Sequence, residues 1–225
     1  MKTLAAETTT GSIEETQRLA AAVAAMLVPG DVLCLYGQLG AGKTYFTKGL
    51  VAGLGGDGEA VTSPTFVLMQ IYEGCHGPDK PPPDGLAGCH GCPAAMSGDA
   101  HASHACGAGM APGRETGSDR GQALLDHGTR RGGARLPVYH FDAYRLRSAQ
   151  DLLDIGSDEI LDDDGVSVIE WADRVAEAMP GERIEVYLTP VGATERRVRL
   201  VGRGEHEAAV VAGLVREGLA TVVET

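Results

Sequence analysis

Polar and apolar positions along the chain fall into short blocks. Leu19, Val23, Met26 and Leu27 recur at helical spacing. Ahead of them, Ser12-Ile13-Glu14-Glu15 has the S-x-x-E spacing of a capping box. A helix is therefore predicted from Ser12 until Pro29-Gly30 stops it. Val32 to Tyr36 is a continuous apolar run with the length of a buried strand. Gly37 to Thr44 is a glycine-rich loop, and a helix is predicted to leave it over Tyr45 to Leu54. Val61 to Tyr72 reads as a loop carrying Thr62-Ser63-Pro64-Thr65, followed by a strand.

The pattern breaks at residues 74–136. This stretch contains no Val, Ile, Phe, Tyr or Trp, and it is rich in Gly, Pro, Ala and His. Such a composition buries too little apolar surface to offset the entropy of ordering. It reads as a long disordered insertion in a single domain spanning 1–225. The pattern resumes at Pro137. Val138 to Asp142 and Val166 to Ile169 are strand-like, and Ser148-Ala149-Gln150-Asp151 is a second capping-box-like start of a short helix. Ile184 to Thr189 and Arg197 to Val201 alternate as a hairpin would, and a last helix is predicted over about Glu205 to Leu219. With the insertion set aside, strands alternate with helices, which argues for an α/β sheet.

Charge and composition narrow the function. The formal net charge of −12 over 225 residues argues against a stand-alone nucleic-acid binder, because such affinity comes mainly from Lys and Arg on phosphates. No apolar run approaches the ~18–20 residues that span a bilayer, and the first residues lack the apolar core of a signal peptide. The expectation is a cytoplasmic protein without a membrane association. The chain has no Asn, so it lacks the Asn-Lys-x-Asp guanine motif of GTPases.

Gly37-Gln38-Leu39-Gly40-Ala41-Gly42-Lys43-Thr44 fits G-x-x-x-x-G-K-[ST] without a mismatch. Gly37, Gly40, Ala41 and Gly42 let successive backbone N–H groups turn inward around phosphate oxygens. The helix that follows presents its N-terminus to the anion. Lys43 supplies charge to the β and γ phosphates, and the Thr44 hydroxyl can coordinate Mg²⁺.

Three further elements could face this loop. Thr62-Ser63-Pro64-Thr65-Phe66 lies where some NTPases place a switch segment, but taken alone it is more simply an ordinary strand-entry turn. Val138 to Asp142 is an apolar run ending in a carboxylate, as in a Walker B strand; Asp142 could hold Mg²⁺ or could cap a turn. His140 within it is more simply structural than a ligand, and Arg145 is expected to pair with a carboxylate. Val166 to Glu170 is a similar run, followed by Trp171, the single Trp of the chain. Glu170 could coordinate Mg²⁺ or orient a water, while Trp171 is either core or a partner-facing anchor.

Taken in order, LYGQLGAGKTYFTKGL, TSPTFVLMQIYEG, VYHFDAYRL and VIEWADR resemble the bacterial TsaE (YjeE) family, the ATPases of tRNA threonylcarbamoyladenosine biosynthesis. The resemblance covers roughly residues 12–73 and 137–201. It implies a P-loop NTPase fold, a three-layer α/β/α arrangement with a mostly parallel central sheet. It implies binding of ATP and Mg²⁺, and docking on a complex of TsaD and TsaB, with tRNA reached only through that complex. In this family TsaD transfers the threonylcarbamoyl group, and hydrolysis by TsaE resets the transferase. By position, Lys43 and Thr44 are the phosphate and magnesium residues, and Thr65 belongs to the switch-like segment. Asp142 is the acid of the HFDxYR element, and Glu170 is a Mg²⁺ ligand or water-positioning group. Ser12 lies where such proteins approach the base, and Arg197 is assigned a nucleotide role. The departure is the insertion, where family members have a short link.

That insertion holds Cys75-His76, Cys89-His90-Gly91-Cys92 and His101-x-x-His104-x-Cys106. The C-x-x-C pair has zinc-ligand spacing. With no apolar residues to build a knuckle, a disordered loop is the plainer expectation. A disulfide does not suit a reducing compartment, and Cys34 is expected as a small buried hydrophobe. Two other functions compete with the ATPase. One is a small-molecule P-loop kinase whose lid would use Arg114, Arg120, Arg130 and Arg131; it would turn over only with a phosphate acceptor. The other is a nucleotide-switched binding module with negligible hydrolysis.

Overall fold

The computed structural model describes residues 1–64, 68–72, 136–154 and 165–224, which belong to one compact unit. Thr65, the cysteine and histidine motifs, the four arginines of the kinase reading and all of 74–136 except Leu136 lie outside the described residues.

The chain opens with strand β1 (Thr3–Thr10), then helix α1 (Ile13–Ala24), strand β2 (Val32–Tyr36) and helix α2 (Lys43–Gly53). A short turn of 3₁₀ helix, Gly58–Ala60, precedes β3 (Met69–Tyr72). After 136 come β4 (Val138–Asp142), a 3₁₀ turn (Ala143–Arg145), helix α3 (Ala149–Leu153) and β5 (Val166–Glu170). A kinked 3₁₀ segment (Ala172–Ala178), β6 (Arg183–Pro190), β7 (Arg196–Arg203), helix α4 (Glu205–Arg216) and β8 (Thr221–Val223) complete the fold.

The eight described strands form one sheet in the order β3-β4-β5-β2-β6-β7-β1-β8. Its middle is parallel: β4 on β5, β5 on β2, and β2 on β6. The flanks are antiparallel, β3 on β4 at one side and β6, β7, β1 and β8 in succession at the other. β1 therefore runs in the same direction as the four parallel strands. The apolar runs read from the sequence are the buried central strands: every residue of β4 and β5 is buried, as parallel strands covered on both faces require.

Helices α1, α2 and α4 cover one face. Leu19, Ala20 and Val23 of α1, Phe46 and Leu50 of α2, and Val210 and Leu214 of α4 pack with Leu33, Leu35, Val168, Val186 and Leu200. The opposite face is covered over β2, β4 and β5 by α3 and the 172–178 segment, where Cys34, Phe141 and Ile169 meet Leu152, Val175 and Met179. Cys34 is buried and free, as expected, and burial pushes its thiol up to about 12. Over β6, β7 and β1 this second face is polar. Glu7, Glu185, Tyr187, Arg197, Arg199 and Arg203 line a groove of about 500 Å³ there.

The predicted capping box at Ser12 is present, with one shift. Ser12 Oγ accepts from Glu15 N at 3.2 Å, while the Glu15 carboxylate accepts from Gly11 N rather than from the cap residue itself. The helix ends at Ala24, before Met26 and Leu27, yet Leu27 is still buried. Strands β1 and β8 were not expected. β1 is rich in threonine and carries only Leu4, Ala5 and Ala6 as apolar residues. Pairing with β7 on one side and β8 on the other holds it in the sheet. Among the described residues no helix is long and apolar enough to cross a membrane.

Candidate functional site

The carboxyl ends of the parallel strands bring the sequence elements together. β2 ends at Tyr36 and runs directly into the glycine loop. Its neighbour β5 ends at Glu170, in register with Leu35 of β2 and with Asp142 at the end of β4. Two acidic residues predicted from separate apolar runs thus stand side by side, next to the loop.

The loop needs its glycines. Gly37 has φ +147, and a Cβ there would approach the Leu188 carbonyl oxygen to 2.5 Å. Gly42 has φ +105, and a Cβ would meet Arg196 Nε at 2.7 Å. Only glycine meets both demands cheaply. α2 begins at Lys43, so its unpaired N–H groups face the loop. Lys43 is almost buried at 5 % exposure, and its Nζ donates to Gly37 O at 2.8 Å and Gln38 O at 3.2 Å. Nζ also lies 3.7 Å from the centre of the Trp171 ring, a cation–π contact. Burial lowers the ammonium's pKa; Glu170, Asp142 and Asp173 partly counter the shift.

Trp171 reaches this position through a left-handed backbone, φ +59 and ψ +41. A non-glycine residue pays about 1–2 kcal/mol for that conformation. The turn directly follows Glu170 and sets the ring beneath Lys43, with Tyr144 at 5.1 Å between ring centres. Trp171 is half-buried and packs against the core cluster of β2, β4 and β5.

Thr44 Oγ1 donates to Glu170 Oε2 at 3.2 Å, and Glu170 Oε1 lies 3.0 Å from His140 Nε2. Asp142 Oδ1 accepts from Tyr144 N at 2.9 Å, and Oδ2 accepts from Ser63 Oγ at 2.5 Å. Asp142 therefore does cap the 143–145 turn, and it also ties the Thr62-Ser63-Pro64 segment to the end of β4. Lys43, Thr44, Ser63, Asp142, Glu170 and Trp171 line one cavity of about 280 Å³.

The donor set fits Mg²⁺. Two protein oxygens about 3 Å apart suit neighbouring positions on an octahedral ion with bonds of ~2.0–2.1 Å. The separation of Thr44 Oγ1 and Glu170 Oε2 meets that spacing. Among the described residues no three His, Cys, Asp or Glu side chains converge into a metal cage. Mg²⁺ needs none, because it takes one or two protein ligands and fills the rest from phosphate and water.

Two predicted residues sit elsewhere. Ser12 lies at the same end of the sheet, just beyond Thr10, which pairs in register with Arg196. Its hydroxyl is engaged in the α1 cap. Arg197 points to the polar face, where Nε is 3.5 Å from Glu7 Oε1. The guanidinium at the glycine loop belongs to its neighbour Arg196, whose Nε donates to Ala41 O at 3.1 Å and whose Nη1 donates to Thr194 O at 2.8 Å. The alternation of a strand could have separated the two, had the strand's face been fixed: β7 puts Val198 and Leu200 in the helix-covered core, and Arg196 shares their parity.

Comparison with known proteins gives the family of the chain. The family model "Threonylcarbamoyl adenosine biosynthesis protein TsaE" matches residues 10–80 and 126–198, leaving out a stretch inside the expected insertion. The chain is 30 % identical to the tRNA threonylcarbamoyladenosine biosynthesis protein TsaE of Bacillus subtilis, over 85 % of this chain and 82 % of that one. It is also 30 % identical to the TsaE protein of Treponema pallidum, over 83 % and 93 %. A crystal structure of Bacillus subtilis YdiB superposes with a TM-score of 0.58 at 26 % identity, covering 97 % of this chain and 99 % of that one. On the family model and these relatives, the chain belongs to the TsaE family of threonylcarbamoyl adenosine biosynthesis proteins.

Proposed function

We propose that this protein binds ATP with Mg²⁺ and hydrolyses it in the service of tRNA threonylcarbamoyladenosine biosynthesis, acting on a TsaD–TsaB transferase complex. The observation that carries the reading is the shared position of Thr44 and Glu170. Their oxygens sit 3.2 Å apart at the mouth of a P-loop, one from the first turn of α2 and the other from the end of β5. Bound there, Mg²⁺ would neutralise phosphate charge. Lys43 is 2.8 Å from a loop carbonyl and can exchange that contact for phosphate oxygens. Glu170 holds the metal-side geometry or aims a water, and Asp142 keeps the Ser63 segment against the site. Ser12 and Thr65 are further nucleotide residues in this reading. For the arginine of β7 this reading takes Arg196, which touches the loop, in place of Arg197, which pairs with Glu7. The family's shared name supports the pathway, and the sequence resemblance supports the partners; a cytoplasmic location is part of the same proposal.

The test is the threonylcarbamoyladenosine content of tRNA from cells depleted of this protein. Wild type is expected to restore the nucleoside, and Lys43→Ala and Glu170→Ala are expected not to. A normal nucleoside content throughout depletion would overturn the reading. Restoration by Glu170→Ala with hydrolysis abolished would instead favour a nucleotide-switched binder.

A further inference from the structure

His140 has no task in the reading above, yet it is the most enclosed polar side chain beside the site. It is fully buried on β4. It lies in register with Val168, while Asp142 lies in register with Glu170. His140 and Glu170 are thus diagonal neighbours on one face of the sheet, within reach for long side chains. His140 Nε2 is 3.0 Å from Glu170 Oε1. With the carboxylate oxygen accepting, this contact takes an N–H on Nε2. The other nitrogen, Nδ1, is buried without a partner among the described residues. Tyr72 stands against the ring, with centroids 6.1 Å apart.

An unpaired buried polar nitrogen costs about 1–3 kcal/mol. A leucine would fill this space without that cost, so core packing does not account for a histidine here. The contact with Glu170 does. Each Glu170 oxygen has its own partner: Oε1 meets His140 and Oε2 meets Thr44. Lys43 lies close enough to feel the Glu170 charge. A carboxylate released from His140 would be free to swing toward that ammonium and away from Thr44.

We propose that His140 is a positioning residue, whose Nε2–H fixes Glu170 Oε1 so that Oε2 faces Thr44 and the Mg²⁺ of a bound nucleotide. The inference rests on the ATP and Mg²⁺ reading above. Hydrogen-bond partners behind a metal ligand typically alter metal affinity about 10–100-fold.

The test uses the full chain with His140→Gln, His140→Asn and His140→Leu. A glutamine amide N–H comes near the place of Nε2; asparagine falls short, and leucine has no donor. Mg²⁺ is titrated into the ATP-loaded protein and followed by the emission of Trp171. ATP affinity is measured separately in EDTA with a fluorescent ATP analogue. The Leu and Asn variants should need about tenfold more Mg²⁺ for half-saturation, and Gln should stay within about threefold of wild type. ATP affinity in EDTA should stay within about twofold for all. Wild-type Mg²⁺ behaviour in Asn or Leu would overturn the proposal. So would a Gln variant as impaired as Leu, or a loss of ATP binding in EDTA common to every variant, which would mark a structural role. If the Leu variant does not fold, the Asn and Gln pair decides alone. A wild-type chain that binds no ATP, or ignores Mg²⁺, would fail in its own arm and overturn the nucleotide reading with this inference.

Discussion

Arg196 lies against Gly42: a Cβ on the glycine would come within 2.7 Å of the guanidinium Nε, which donates to the neighbouring Ala41 carbonyl. The arginine is a strut behind the phosphate loop. It fixes the Ala41 peptide, and with it the direction of the N–H groups that follow. Arg196→Ala should weaken ATP binding about tenfold, the loss of one charge-assisted hydrogen bond. Arg197→Ala should leave it within about twofold, because that side chain pairs with Glu7 on the other face. Calorimetric titration of both variants checks the contrast, and equal losses would refute the assignment of roles. Gly42→Ala should bind ATP worse than either, since it adds a strained φ to the clash.

Lys43 and Trp171 give a direct signal of occupancy. Nζ lies 3.7 Å from the ring centre while it donates to two loop carbonyls. Phosphate oxygens would compete for the same ammonium. The chain has a single Trp, so its emission reports this site alone. ATP should change that emission in the wild type, and Lys43→Met should abolish the change. A wild-type spectrum unaffected by saturating ATP would argue that the ammonium keeps its place over the ring.

Phe46 links the loop to the core. It is fully buried three residues into α2, among the residues that join α1, α2 and the sheet. Phe46→Ala should cost about 3–5 kcal/mol of stability by transfer and cavity terms together. Urea unfolding checks it; a loss below about 1 kcal/mol would mean that the site collapses freely around the gap.

The local signals were legible where one residue type in one spacing answers one demand. The phosphate loop, the two capping serines, β2 and β4 all follow from such signals, and the two acids at strand ends could be placed before any contact was known. Pairing between distant segments was not legible. β1 has threonines and alanines instead of a strong apolar alternation, and it owes its place to β7 and β8. The roles of Arg196 and Arg197 depend on which face of β7 meets the helices, and a one-residue error in register exchanges them. The His140–Glu170 contact joins two strands and was invisible for the same reason. Its Glu170 end was read as chemistry and its His140 end as core.

Two sets of ion pairs, each built on a buried carboxylate, give stability opposite pH dependences. Glu185 is buried between Arg183 at 2.7 Å and Arg203 at 2.8 Å, with the Tyr187 hydroxyl at 3.1 Å. Burial alone would raise its pKa, but the hydrogen bonds from Arg203 and Arg183 outweigh it and hold the carboxyl below its ordinary 4.5. A depressed acid contributes stability that is present above the unfolded value and is lost as pH falls through the folded one. His206 behaves the other way. Its bond to Asp31 raises it above 6.5 against the opposing effect of burial, and Glu207 adds to the rise. That contribution is complete below pH 6.5, and is lost as pH rises through the folded value. Urea midpoints should therefore fall below pH 4.5 and also decline above pH 6.5. Glu185→Gln should flatten the acid limb and cost about 1–2 kcal/mol at neutral pH. His206→Gln should flatten the other limb and leave the acid one unchanged. A single variant that alters both limbs would mean that the two pairs, on opposite faces of the sheet, do not act independently.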